Sequence, residues 1–141
     1  MSSRKTGGPV SLDEALTDIM KSDPECIAAG WVDTETGLLI RVKTGSQPVE
    51  GLELVSTATS DIFERANVGG IEQLFKTAHG VPAADHYFRE IIVKSRDLIH
   101  VFARGQRQDD PMLIVIVRLA ADLGVVIHRA RWAVSAIEPG E

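Results

Sequence analysis

Met112-Leu113-Ile114-Val115-Ile116-Val117 is the longest unbroken apolar run in the chain. It has the length of a strand. An apolar strand without alternation must be buried on both faces, so the run predicts the centre of a sheet. After Arg118, Asp122 stands where a helix cap belongs. Leu123, Val126, Ile127, Ala130, Val134 and Ile137 follow at helical spacing. Arg129, Arg131 and Glu138 fall on the outward side, and Pro139-Gly140 is a stop. Upstream lie two more strand candidates, His86–Lys94 and Leu98–Arg104. Ser95-Arg96-Asp97 joins them as a tight hairpin, and Gly105–Pro111 leads to the central run.

Earlier still, Cys26–Val32 is apolar at both alternating sets of positions and reads as a second inner strand. Asp33-Thr34-Glu35-Thr36-Gly37 is turn chemistry, and Leu38–Val42 runs back as a hairpin partner. Ser11 and Glu14 form a capping box ahead of Leu12, Ala15, Leu16 and Ile19, which share one helical face. Asp23-Pro24 closes that helix. Gly45-Ser46-Gln47-Pro48 opens a long middle helix. Its stripe is Val49, Leu52, Val55, Thr59, Ile62, Phe63 and Ala66, interleaved with the small residues Gly51, Ser56, Ala58 and Ser60. Small residues let another backbone approach closely. Asn67-Val68-Gly69-Gly70 reads as an interruption of this helix. Ile71, Leu74, Phe75 and Ala78 give one further short stripe before a loop at His79-Gly80-Val81-Pro82.

The 141 residues, 44% apolar and 25% charged, suit one soluble domain over residues 11–138, with a disordered tail at 1–10 and a short tail at 139–141. A net charge of −5 opposes nucleic-acid binding, which needs a basic stripe. No apolar run approaches membrane-spanning length, and no apolar segment follows Met1–Gly8 as in a secretory leader. Cys26 is the single cysteine, which fits a reducing compartment. A cytoplasmic location is expected.

Nothing in the sequence assembles a catalytic set. His79, His86, His100 and His128 keep no metal-ligand spacing with one another or with a carboxylate. Cys26 has no basic neighbour to activate it and reads as a core residue. Val68-Gly69-Gly70 lacks the Lys-Ser/Thr of a phosphate loop and reads as a hinge or helix stop. Asp109-Asp110 beside Pro111 is a solvated turn. No metal, cofactor or enzymatic activity is expected. Trp31 reads as core, whereas Trp132 is either the core's edge or an exposed anchor. The sharper feature is His86–Val93. Alternation puts Tyr87, Arg89, Ile91 and Val93 on one face and Phe88, Glu90 and Ile92 on the other. As an edge strand it would be long and apolar, which a monomer normally avoids. Either a loop covers it or a second copy pairs with it.

Three local signatures in this order resemble the Roadblock / dynein light-chain family. Ala28-Ala29-Gly30-Trp31-Val32-Asp33 followed by Gly37 resembles its first hairpin. Val115–Arg118 leading into Asp122-Leu123-Gly124-Val125 resembles its last strand and its Asn-Leu-Gly-Leu helix start. Arg129-Ala130-Arg131 resembles the Arg-rich turn of its final helix. The resemblance spans Leu12–Ile137. Asp122 and Val125 replace the commoner Asn and Leu, and Val68–Asp85 is longer than usual.

The resemblance implies an α+β fold of topology α-β-β-α-β-β-β-α. It is a three-layer α/β/α sandwich on a five-stranded antiparallel sheet of order 2-1-5-4-3, with two helices on one face and the middle helix on the other. It implies a non-enzymatic dimer joined through the third strand and the middle helix. That interface would use Tyr87, Phe88, Arg89, Ile91, Ile92 and Val93 with Leu52, Val55, Thr59 and Ile62. Bacterial members are similar to the partner proteins of small Ras-like polarity GTPases; elsewhere they serve dynein and nutrient-signalling complexes. A homodimeric GTPase regulator or scaffold is therefore expected here. Glu50, Glu53, Asp61 and Glu64 of the paired middle helices would form the acidic docking face. The other expectation is a small-molecule sensor on a profilin-like or PAS-type three-layer fold, which a roomy pocket between sheet and helices would favour.

Overall fold

The computed structural model describes residues 10–34, 36, 38–45, 66–107 and 110–137. Helix α1 (Leu12–Lys21) leads into the hairpin β1 (Cys26–Val32) and β2 (Leu39–Thr44). Helix α2 (Ala66–His79) precedes β3 (Glu90–Lys94), β4 (Leu98–Arg104), β5 (Met112–Arg118) and helix α3 (Leu123–Ala136). All strand pairs are antiparallel, and the sheet order is β2-β1-β5-β4-β3. The apolar run is thus the middle strand, and every residue of Met112–Val117 is buried.

The expected capping box forms: the Ser11 hydroxyl accepts from the Glu14 amide at 3.1 Å, and the Glu14 carboxylate accepts from the Ser11 amide at 3.0 Å. It starts α1 at the turn that sends Leu12, Ala15, Leu16 and Ile19 into the core. Asp122 caps α3 by accepting from the Val125 amide. Val126, Ala130, Ala133 and Val134 of α3 pack with the α1 set over Ala29, Trp31, Val101, Leu113, Val115 and Val117. Both helices therefore cover one face of the sheet. Trp31 is fully buried and donates its indole N–H to the Leu12 carbonyl at 3.1 Å, tying β1 to α1. Cys26 is likewise buried, and burial pushes its thiol pKa up. The opposite face carries a second buried set: Ala28, Val32, Phe102, Met112, Ile114 and Ile116. The sequence expectation of a helix over Val49–Ala66 lies, apart from Ala66, outside the described residues.

In the first hairpin, Asp33 donates its amide to the Leu38 carbonyl at 2.9 Å, and its carboxylate accepts from the Thr36 hydroxyl at 2.8 Å. Gly30 lets β2 lie close: a Cβ there would sit tightly, 3.0 Å from Leu39 Cδ1 and 3.2 Å from the Arg41 carbonyl oxygen.

Two expectations are corrected. The interruption, hinge or stop at Asn67–Gly70 is instead the first turn and more of α2, which runs unbroken from Ala66 to His79. Glycine inside a helix costs only about 1 kcal/mol against alanine. The stop is Gly80, at φ 65, where the Val81 amide reaches the Lys76 carbonyl at 3.0 Å. The strand expected from His86 begins only at Glu90. The amides of Tyr87 and Phe88 both donate to Glu72 Oε2, at 2.8 and 2.9 Å. Consecutive amides aimed at one atom cannot alternate as an extended strand does.

Candidate interaction surface

Helix α2 is turned opposite to an ordinary amphipathic helix. Its polar residues Glu72 and Lys76 are buried, Glu72 to 6% of full exposure, while Leu74 is 72% exposed and Ile71 and Phe75 are also exposed. Glu72 explains the inversion. Its carboxylate accepts from the Arg104 guanidinium at 3.1 Å, in an ion pair with both side chains buried, and from the two amides of Tyr87 and Phe88. Burial alone would raise the Glu72 carboxyl; the amides of Phe88 and Tyr87 and the Arg104 charge outweigh it and hold the group below its usual value. Lys76 donates to the Ala83 carbonyl at 2.8 Å. The clamp thus fastens α2 to the end of β4 and to the segment that feeds β3.

His86 sits inside this clamp. Its amide donates to the Gln106 carbonyl at 2.6 Å, and its buried Nε2 finds no partner among the described residues. Burial first, then the Arg104 charge, lowers its pKa to about 4, with Lys76 adding and Glu72 and Asp85 opposing. The ring is neutral at pH 7.

Above the clamp the rings of Phe75, Tyr87, Phe88 and His79 gather. Phe75 and Tyr87 stack at 5.4 Å, and Tyr87 meets Phe88 edge-on at 5.9 Å. Beyond them β3 is the sheet's edge. Register with β4 puts Ile91 and Val93 on one face and Glu90 and Ile92 on the other, as the alternation predicts. Ile91 packs against the second buried set, whereas Ile92 and Val93 are exposed. Glu90 is held by two bonds from Arg131 of α3, at 3.0 and 2.9 Å.

Of the expected interface residues, Tyr87, Phe88, Ile91, Ile92 and Val93 thus lie along one edge, with Arg89 exposed beside them and its carbonyl accepting from the Arg104 amide. Leu52, Val55, Thr59 and Ile62 lie outside the described residues, as do Glu50, Glu53, Asp61 and Glu64. The sequence noticed the stripe of Ile71, Leu74 and Phe75 but not that it faces outward. The signal was the Glu72/Lys76 spacing of four, whose burial depends on Arg104, 32 residues away from Glu72.

On the other side of the molecule, a cleft of about 580 Å³ lies between α1 and α3, lined by Asp13, Glu14, Asp18, Lys21, Arg129 and Trp132 among others. Arg129 pairs with Asp18 and lies 5.3 Å from the Trp132 ring centre. Trp132 is partly buried against the core, at its edge. Among the described residues no group of three or more His, Cys, Asp or Glu could hold a metal ion, and no helix is long and apolar enough to cross a membrane.

No family model and no curated protein matches the chain. Solved structures do. An MglB with tetrameric arrangement is 16% identical at TM-score 0.65, covering 94% of this chain and 92% of that one. The gliding protein MglB from Thermus thermophilus is 16% identical at TM-score 0.64, covering 94% and 93%. A Roadblock/LC7 domain from Streptomyces avermitilis is 15% identical at TM-score 0.60, covering 89% and 93%. The chain has the Roadblock/LC7-like fold over nearly its whole length.

Proposed function

We propose that this chain is a non-enzymatic, homodimeric regulator or scaffold that binds a small Ras-like GTPase and modulates its nucleotide cycle or localisation. The observation that carries the reading is the inverted helix α2. Burying Glu72 and Lys76 while exposing Ile71, Leu74 and Phe75 is unfavourable for a solitary chain and makes sense if another protein covers the apolar side. The fold likeness to MglB and the family resemblance support this reading.

A second copy fits the β3 edge. Antiparallel self-pairing of Glu90-Ile91-Ile92-Val93-Lys94 about Ile92 sets each Glu90 opposite the other copy's Lys94, and each Ile91 opposite a Val93. The register complements itself in charge and in shape. The paired subunits would present one composite surface for the GTPase, with Glu50, Glu53, Asp61 and Glu64 as its acidic groups. Such a dimer need not supply an arginine finger; it can reposition the GTPase's own groups.

The test uses Ile92→Lys with Val93→Lys, because both side chains are exposed and their replacement spares the core. Wild type should sediment as a dimer and the variant as a folded monomer. Equal masses would remove the β3 interface. Glu53→Lys with Glu64→Lys should weaken binding of a Ras-like GTPase from the same organism while keeping the dimer; unchanged affinity would move the docking face elsewhere. The outer cleft lies between α1 and α3 and not between sheet and helix, so it lends nothing to the sensor reading.

A further inference from the structure

The sheet has a second edge, and its chemistry differs from that of β3. Apolar side chains are exposed at and just before β2: Leu38, at 63% exposure, then Ile40 and Val42. Arg41 stands between Ile40 and Val42, Lys43 follows Val42, and Leu39–Thr44 contains no acidic residue. Register with Trp31 and Ala29 places Arg41 and Lys43 on the face that α1 covers, while Val42, opposite Gly30, is on the other. Neither cation makes an ion pair with a described residue. The Gly45 amide donates inward to the Ile27 carbonyl at 3.0 Å. Strand alternation then turns the amides of Val42 and Thr44 away from β1, toward the open edge.

Basic residues and a bulge are common guards of an edge strand, and β2 has both; the bulge lies where the register shifts from Trp31/Arg41 to Val32/Leu39. A guard does not explain the exposed apolar row beside the cations. A second copy does not fit it either. Any antiparallel self-pairing centred on residue 41, 42 or 43 sets a cation directly opposite a cation, which is destabilising.

We propose that β2 is a docking edge for an extended segment of another protein in which acidic and apolar residues alternate. Added beside β2, such a segment accepts from the outward amides, sets its carboxylates against Arg41 and Lys43, and lays its apolar side chains along Ile40 and Val42. This surface is separate from the β3 edge and uses none of its residues.

The probe is a capped seven-residue peptide of alternating valine and glutamate, titrated into the intact chain and followed by amide NMR. The expected result is shifts confined to β2 and slowed exchange at Val42 and Thr44. A valine–lysine peptide should not bind. Arg41→Glu with Lys43→Glu should reverse the preference, weakening the glutamate peptide at least about tenfold. The monomeric Ile92→Lys/Val93→Lys variant should bind the peptide as wild type does, so a failed dimer proposal leaves this result readable. Equal affinity for both peptides, no binding of either, or shifts at β3 would overturn the proposal. So would self-association beyond the dimer that Arg41→Glu abolishes, because that outcome gives the edge to a second copy.

Discussion

The two edges of the sheet both present apolar side chains to solvent, but they are supported in different ways. β3 rests on a buried polar clamp: Glu72, Arg104 and Lys76 lock α2 to the chain that feeds the strand. β2 rests on β1 and on α1 without a buried ion pair among the described residues, with Gly30 giving it room to lie close to β1. Charge differs as well. β3 pairs an acid with a base at its two ends and so tolerates a copy of itself, whereas β2 holds two bases and repels one. The lesson is that an exposed strand's partner is constrained less by its hydrophobicity, which is shared, than by the pattern of its charges and the rigidity behind it.

The strongest way to break this contrast is Glu72→Ala. It leaves the Arg104 guanidinium buried without its counter-charge and frees the Tyr87 and Phe88 amides, so the loss of stability should be about 3–5 kcal/mol by urea unfolding. Amide exchange should speed at β3 before β2. Uniform acceleration at both edges would show that the clamp serves the whole fold rather than one side. Glu72→Gln keeps acceptors for the amides and should lose less.

A smaller effect comes from pH. His86 has a folded pKa of about 4, below the ordinary value of 6.5. Below 6.5 the unfolded chain binds the proton more readily than the folded one. Its contribution is therefore fully present above pH 6.5, falls as the pH drops from 6.5 toward 4, and is gone below that. The order of magnitude is about 3 kcal/mol. The groups facing the ring are Arg104 and Lys76, which resist protonation, and Glu72 and Asp85, which favour it. Thermal melts across that window should show a flatter pH slope in His86→Leu than in wild type. Parallel slopes would place the acid sensitivity elsewhere.

The smallest effect belongs to β2. Ile40→Ser and Val42→Thr replace exposed side chains away from the buried sets, and each should change stability by no more than about 0.5 kcal/mol. A loss of about 2 kcal/mol on chemical denaturation would mean that the apolar row supports the fold and is not available to a partner.

Much of this architecture was legible in the residues themselves. The capping box of Ser11 and Glu14, the stripe of α1, the turn at Asp33 and the Asp122 cap are local features, and local features survive folding unchanged. The centrality of β5 followed from six apolar residues without alternation. Strand alternation also placed Ile91 and Val93 together on one face. The reading failed at Asn67–Gly70, where glycines suggested a stop but the helix continued, and at His86–Arg89, where an apolar pattern suggested strand but a distant carboxylate took the amides.

What the sequence determined by itself was the order of elements and which strands lie inside, because periodicity and capping depend on neighbours within a few positions. Only the tertiary structure decided which side of α2 faces inward. Hydrophobicity would turn Ile71, Leu74 and Phe75 to the core. The Arg104 charge at the end of β4 and the two amides ahead of β3 supply Glu72 with a buried partner set that no local spacing reveals. Once that carboxylate is satisfied inside, the helix has one orientation left, and its apolar side is presented to solvent.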